Sequence, residues 1–258
     1  MRSNPEAKRW NCISGQYKAH FRLPIISRYH EKEQTKLLKA WIDTETEGNI
    51  LITDLFNESF GSVGYLNFLK SYYTVVGIDI SSDVIYRGKK SALIGMPCVV
   101  SDIKDVAFRN NVFNYVISFS TLDHFGKEQF RKSLEQIRRV LIPGGKLIIT
   151  LHNAQNLFLY FQLMKASKKL PFPLELYSLK SARKIIEDCH FKVRQSEAIV
   201  HVLFPGTINR MIFWCQKHKK YRALNAVEKL IELCGYCARF PTKYLTCKFI
   251  AFCAIKED

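Results

Sequence analysis

The sequence predicts an α/β fold: a doubly wound, mostly parallel, seven-stranded sheet with helical cover segments. Three observations carry this. Short apolar runs of strand length alternate with segments of helix length. The runs are continuously apolar, as strands buried on both faces require. Two more strand-like runs follow the fifth strand–helix unit and complete a sheet of seven. With 258 residues and 47% hydrophobic content the chain can bury one sizeable core, and 24% charged residues are ordinary for a globular protein.

In chain order, residues 1–45 read as an N-terminal helical segment. Within Glu31–Ile42 the residues Leu37, Leu38, Trp41 and Ile42 form an apolar helical stripe, which Gly48 and Asn49 end. The strand-like runs are Asn49–Leu55, Tyr73–Ile80, Pro97–Ser101, Asn114–Phe119 and Lys146–Leu151. A helix over Lys127–Leu141 stops at Pro143-Gly144-Gly145. Leu179–His190 reads as a helix, Phe191–Phe204 as a long strand and Cys247–Ile255 as the final strand. Between those two strands, Thr207–Phe240 reads as two basic, aromatic-containing helices. One domain over 1–258 is expected, its core sheet and helices in 46–204 and 246–258, with 205–245 inserted as a helical cover.

The net charge of +16 is concentrated in two places. Residues 1–40 hold nine Lys/Arg against three Glu, and residues 205–248 hold nine against two. Such a surface attracts anionic partners: nucleic acid, a membrane or a phosphorylated substrate. The N-terminus lacks the apolar stretch of a secretory signal, and runs such as Leu157–Met164 are far shorter than a bilayer span, so a cytoplasmic protein is expected. Eight scattered cysteines are then reduced thiols. Cys234 and Cys237 form a lone C-x-x-C without the second pair of a structural zinc site.

The second strand reads Val75-Val76-Gly77-Ile78-Asp79-Ile80-Ser81. A carboxylate at the carboxyl end of a parallel strand can accept hydrogen bonds from both ribose hydroxyls of an adenosine. The third strand runs into Ser101-Asp102-Ile103, and a later segment reads Phe113-Asn114-Tyr115-Val116-Ile117-Ser118. After the fourth strand come Ser120-Thr121-Leu122-Asp123-His124-Phe125 and then Arg138-Arg139-Val140-Leu141-Ile142-Pro143-Gly144-Gly145. Together these resemble the class I (Rossmann-like) S-adenosylmethionine-dependent methyltransferases, whose corresponding segments read VVGxDxS, xxDxxxLPFxxxxFDxVxS, hLxHh and RVLxPGGxhhh. The likeness covers residues 10–155 by motif and 176–258 by element order.

The resemblance implies S-adenosyl-L-methionine as cofactor. Asp79 and Ile80 would lie at the ribose, Asp102 and Ile103 at the adenine, and Phe119 at the end of the fourth strand. Tyr17, in Tyr17-Lys18-Ala19-His20-Phe21, is similar to the aromatic residue of the family's YDxxF segment. The family's glycine loop, DhGxGxG, is here Asp54-Leu55-Phe56-Asn57-Glu58-Ser59-Phe60-Gly61-Ser62-Val63-Gly64. Asp54, Gly61 and Gly64 are its remaining counterparts, in a degenerate motif with bulky residues where small ones are expected. Glu58 adds a charge able to meet the cofactor's ammonium or repel its carboxylate.

Beyond the fourth and fifth strands lie Asp123, His124, His152 and Asn153. The two histidines are the candidate bases for an acceptor that must shed a proton. The reading favoured is methyl transfer to a small-molecule or lipid-like acceptor, with weak contact to an anionic membrane surface. The altered loop is equally compatible with a non-catalytic protein of this fold serving as a partner or scaffold. Charge favours a nucleic-acid methyltransferase, but the Asn/Asp-Pro-Pro-aromatic motif of amino-group methylases is missing after the fourth strand, where Ser118-Phe119-Ser120-Thr121 stand. The first loop also lacks the G-x-G-x-x-G of dinucleotide-binding dehydrogenases. Asp79 is expected at a strand end outside the core, so that replacing it disturbs binding more than folding.

Overall fold

The computed structural model describes residues 4–16, 24–60, 64–90, 93–167, 173–201, 205–237 and 242–257. Its sheet is built from β1 (Asn49–Ile52), β2 (Thr74–Asp79), β3 (Cys98–Val100), β4 (Phe113–Phe119), β5 (Leu141–His152), β6 (Phe191–His201) and β7 (Cys247–Lys256). The strand order is β3-β2-β1-β4-β5-β7-β6. Pairings among β1 to β5 are all parallel, and β7 runs antiparallel to both β5 and β6. The closing antiparallel pair expected from the two late apolar runs is therefore present, and β7 alone opposes the sheet.

The helices are α1 (Pro5–Gln16), α2 (Pro24–Trp41), α3 (Phe56–Ser59), α4 (Gly64–Lys70), α5 (Ser82–Lys89), α6 (Lys127–Val140), α7 (Leu157–Ser167), α8 (Leu179–Asp188), α9 (Pro205–Lys217), α10 (Tyr221–Cys237) and α11 (Lys243–Thr246). They cover a sheet whose two faces bury separate apolar layers. Along β4, Tyr115, Ile117 and Phe119 enter one layer while Val116 enters the other, the period-two alternation of a strand. Leu37, Leu38 and Ile42 of the N-terminal stripe join the first layer. Phe130, Leu134 and Ile137 of α6, spaced to fall on one helix face, join the second.

Two strands depart from their expected bounds for identifiable reasons. Strand β1 stops at Ile52 instead of running to Leu55, because the chain turns at once into α3. Leu55 is fully buried there, against Gly77 of β2; a Cβ on Gly77 would come within 2.7 Å of the Leu55 side chain. Strand β5 begins at Leu141, directly after α6, and skips from Leu141 opposite Phe113 to Lys146 opposite Tyr115. The skipped residues include Pro143-Gly144-Gly145. Gly144 has φ +72°, and a Cβ on Gly145 would meet the Ile142 carbonyl at 2.8 Å, so the Pro-Gly-Gly turn is a bulge within the β5 edge.

The chain order reverses between β1 and β4: from β1 it steps outward to β2 and β3, then returns to β4. At such a switch point the loops beyond the strand ends diverge and leave a crevice.

Candidate cofactor cleft and a neighbouring buried dyad

The crevice lies beyond the carboxyl ends of β1 to β4. Its cavity volume is about 50 Å³, and it is lined by Thr53, Asp54 and Phe56 after β1, Asp79 and Ile80 after β2, and Ser101, Asp102 and Ile103 after β3. Thr121, His124 and Phe125 close it beyond β4, and Glu6 and Trp10 of α1 cover it.

Asp79 organises its floor. Its Oδ2 accepts the Leu55 amide at 3.0 Å and its Oδ1 accepts the Ser81 amide at 2.8 Å. An ionised carboxylate has about four acceptor directions, so two remain for a ligand. The group is only 7% exposed. Burial, followed by the neighbouring Asp54 charge, pushes it up to about 7. Burial also raises Asp54, whose oxygens accept the Phe56 amide at 2.8 Å and the Thr121 hydroxyl at 3.3 Å.

Helix α1 is tied down along its length. Asn4 Nδ2 donates to Asp102 at 3.1 Å, Lys104 Nζ donates to Glu6, Ser81 Oγ donates to Asn11 at 2.6 Å and Ser14 Oγ donates to Asp83. These bonds hold the Trp10 ring over the cleft, 6.1 Å from Phe56 and 5.8 Å from His124 between ring centroids. A cover from the N-terminal helices is expected from sequence, but no local pattern singles out Glu6 and Trp10, because their place depends on where the helix docks.

Of the residues singled out from sequence, Asp54, Asp79, Ile80, Asp102, Ile103 and His124 meet in this cleft. Tyr17 and Gly61 lie outside the described residues. Gly64 does not face the cleft: it opens α4, and its amide donates to the Glu31 carboxylate. Phe119 turns into the apolar layer, 5.7 Å from the Tyr65 ring, because alternation along β4 points it away from the mouth. Glu58 is buried and accepts the Tyr65 hydroxyl, so its charge does not project into the cleft.

His152 also lies apart from the cleft walls, in a second arrangement. Its Nδ1 is 2.5 Å from Asp123 Oδ2, which also accepts the His152 amide at 3.0 Å. Asp123 is fully buried. Burial pushes its carboxyl upward, but the His152 ring and amide and the nearby His124 hold it below its ordinary value. Burial, with the nearby Lys248 and His124, holds His152 below its ordinary value against the pull of Asp123. The ring is therefore neutral at neutral pH. The carboxylate assigns the proton to Nδ1 and leaves Nε2 as an acceptor. Phe249 packs 4.6 Å from the ring, and loss of solvent pushes nearby Lys248 down to about 8 against the pull of Asp123.

Residues 59–149 match the family model of a methyltransferase domain. The match covers about a third of the chain, and what it identifies there is a methyltransferase domain. The family match starts inside α3 and covers β2 to most of β5, the part that carries the Asp79, Asp102 and Pro-Gly-Gly motifs. The chain is 29% identical over 106 residues to a human protein named Probable tRNA methyltransferase 9B, covering 41% of this chain and 22% of that one. It is 24% identical over 131 residues to an uncharacterized protein of Methanocaldococcus jannaschii, covering 50% of this chain and 62% of that one. The chain thus spans less than two thirds of either relative. Among solved structures, the methyltransferase-fold chain in a complex with the Haloferax volcanii Trm112 methyltransferase activator superimposes with a TM-score of 0.65. That likeness covers 98% of this chain and 97% of the other at 14% identity, and is one of fold.

The methyltransferase-domain match supports S-adenosylmethionine as cofactor, and the donor set of the cleft fits it. A carboxylate with spare acceptor directions ends β2, where ribose hydroxyls bind in sheets of this topology. Asp54, Asp102 and Glu6 line it with carboxyl groups able to accept hydrogen bonds, Lys104 pairing with both Glu6 and Asp102. Trp10 and Phe56 supply flat apolar walls.

Proposed function

We propose that the chain transfers a methyl group from S-adenosylmethionine to a small-molecule or lipid-like acceptor. The observation that carries this reading is the acid-lined cleft at the switch point, with Asp79 at its floor and the Trp10 ring above it. The cofactor, when bound, would supply an electrophilic methyl group, to which an acceptor nucleophile bonds in line while the S–CH3 bond breaks and S-adenosylhomocysteine leaves. The chain's own residues bind and orient: Asp79 takes the ribose hydroxyls, Asp102 and Ile103 flank the adenine, and Trp10 and Phe56 exclude water. Alignment of this kind can contribute on the order of 7–11 kcal/mol to such a displacement.

Titration calorimetry with S-adenosylmethionine and S-adenosylhomocysteine tests the reading. Binding of both supports it. Failure of both to bind moves the assignment to a partner or scaffold of the same fold. That second reading draws support from α3 and its C-cap, which place Phe56 and Phe60 where the family's loop has glycines, and from the two backbone amides that already occupy Asp79. A nucleic-acid acceptor is the remaining reading, supported by the net charge of +16 and by the name of the human relative. Methyl transfer from labelled cofactor to unfractionated tRNA, against a lipid extract, separates it from the first.

A further inference from the structure

The antiparallel helices α9 and α10 leave an apolar groove between them, lined by Met211, Trp214, Ala223, Ala226 and Leu230. Trp214 is 53% exposed and Leu230 48%, with Phe213 and Leu233 exposed close by. Ala223, Ala226, Leu230 and Leu233 fall at i, i+3, i+7 and i+10, so they form one outward stripe on α10, separate from the buried face made by Val227 and Ile231. An apolar strip of this kind on a water-facing helix pair marks a binding surface.

Charge identifies what the surface meets. The described hairpin, residues 207–233, carries two acidic side chains, Glu228 and Glu232. Both are engaged on the α2 side, Glu228 by Arg28 at 3.2 Å and Glu232 by Lys32 at 2.5 Å. The basic residues lie elsewhere. Lys217, Lys219 and Lys220 cluster at the hairpin turn, and Arg222 and Lys229 stand on α10, all exposed. On the α10 helical wheel, Arg222 and Lys229 lie immediately beside the apolar stripe and away from the glutamates. An indole, a tyrosine (Tyr221, 66% exposed) and aliphatic side chains bordered by lysines and arginine fit the boundary between headgroups and acyl chains. No described helix is long and apolar enough to cross a membrane, so the contact is one of lying on a surface.

We propose that the outer face of the α9–α10 hairpin docks the protein on anionic phospholipid bilayers, with Trp214 and Leu230 entering the interface and Lys217, Lys219 and Lys220 meeting the headgroups. This is independent of the methyl-transfer reading, since neither helix lines the cofactor cleft.

The test is flotation of the full chain with vesicles of phosphatidylserine mixed with phosphatidylcholine, and with vesicles of phosphatidylcholine alone, at low and high salt. The expected result is binding to the mixed vesicles that weakens as salt rises, with little binding to phosphatidylcholine alone. Each lysine changed to glutamine should weaken partition by about fivefold, so K217Q/K219Q/K220Q together should lose about a hundredfold. W214S/L230S should also release the protein, with circular dichroism and thermal melting confirming that both variants stay folded. Equal binding to both vesicle types, no binding to either, or unchanged binding by the folded lysine variant overturns the proposal. So does a concentration-dependent dimer in sedimentation velocity that W214S/L230S abolishes, because the groove would then be covered by a second copy.

Discussion

The Leu55 amide and the Asp79 carboxylate, 3.0 Å apart, join the turn after β1 to the end of β2. Leu55 is fully buried and its side chain fills the space left by Gly77, so the backbone of the first loop is anchored from both sides. The same carboxylate thus holds the protein's own loop and faces the cofactor cleft.

That dual role separates two effects of changing Asp79. Asp79→Ala is expected to weaken S-adenosylmethionine binding about a hundredfold, through loss of two charge-assisted hydrogen bonds worth about 1.5–3 kcal/mol each. It should also destabilise the fold, which the position of Asp79 in the sequence did not suggest, because the Leu55 and Ser81 amides lose their acceptor. An unsatisfied buried donor costs about 1–3 kcal/mol. Asp79→Asn should do less harm on both counts. Calorimetry and urea unfolding check the two effects separately, and equal cofactor affinity in wild type and Asp79→Ala would remove Asp79 from the ribose site.

The pair Asp54 and Asp79 gives stability a pH dependence. The folded-state value of Asp79, about 7, lies above its ordinary 3.8, so the folded chain keeps a proton that the unfolded chain has released. This contribution is fully present below the unfolded value and is lost as pH rises through the folded one. Asp54, raised by burial, acts in the same direction. Asp54→Asn retains an acceptor for the Phe56 amide but removes the charge. Its stability relative to wild type should therefore improve between pH 5 and pH 8, by on the order of 1–3 kcal/mol. Thermal melts at the two pH values read this difference, and His152, common to both proteins, cancels.

His152 should titrate below the usual histidine range and hold its proton on Nδ1. Nitrogen-15 NMR of labelled histidine is expected to show the Nδ1–H form at neutral pH. In Asp123→Asn the midpoint should fall further, because the nearby negative charge raises it in the wild type. A rise in the variant would mean that the ring and Asp123 are not hydrogen-bonded as described.

Helix α1 must loosen before a ligand the size of a nucleoside reaches Asp79, since Glu6 and Trp10 roof the cleft. Removing two of its tethers in Asn11→Ala/Ser14→Ala should raise hydrogen exchange across Pro5–Gln16 and speed cofactor association. Exchange mass spectrometry and stopped-flow Trp fluorescence report the two. Unchanged exchange in this segment would show that Trp10 packing alone sets its stability.

Inner strands buried on both faces announce themselves as unbroken apolar runs, while the edge strands β3 and β6 are partly exposed and β6 mixes polar with apolar residues; all seven could still be located from sequence, most within one or two residues. The exceptions are instructive. The Pro-Gly-Gly segment reads as a turn before β5, yet the sheet resumes on both sides of it, and only register against Phe113 and Tyr115 reveals a bulge. Asp79 and Asp102 were legible because a carboxylate ending a parallel strand has a chemical reason to be there. Glu6, Trp10 and Thr121 were not, since their place in the cleft follows from docking rather than from local pattern. His124 and the dyad aspartate are adjacent in a short 3-10 turn, yet they face opposite ways: His124 toward Trp10 and Asp123 toward His152. Spacing along the chain does not separate such neighbours.

Strand β7 lies between β5 and β6 although it is synthesised after both. On a ribosome, β5 is complete at His152 and waits for Cys247, an interval of roughly 5–20 s at about 5–20 residues per second. Through that interval the nascent sheet carries an apolar strand, Leu147 to Leu151, with one hydrogen-bonding edge open, and β6 emerges with no neighbour to receive it. Translation arrest or a premature stop between His201, where β6 ends, and Cys247 would leave the open edges of β5 and β6 exposed at once. The cell's quality-control machinery should meet this chain in that state, and a nonsense allele in that window should yield aggregates rather than a smaller working protein.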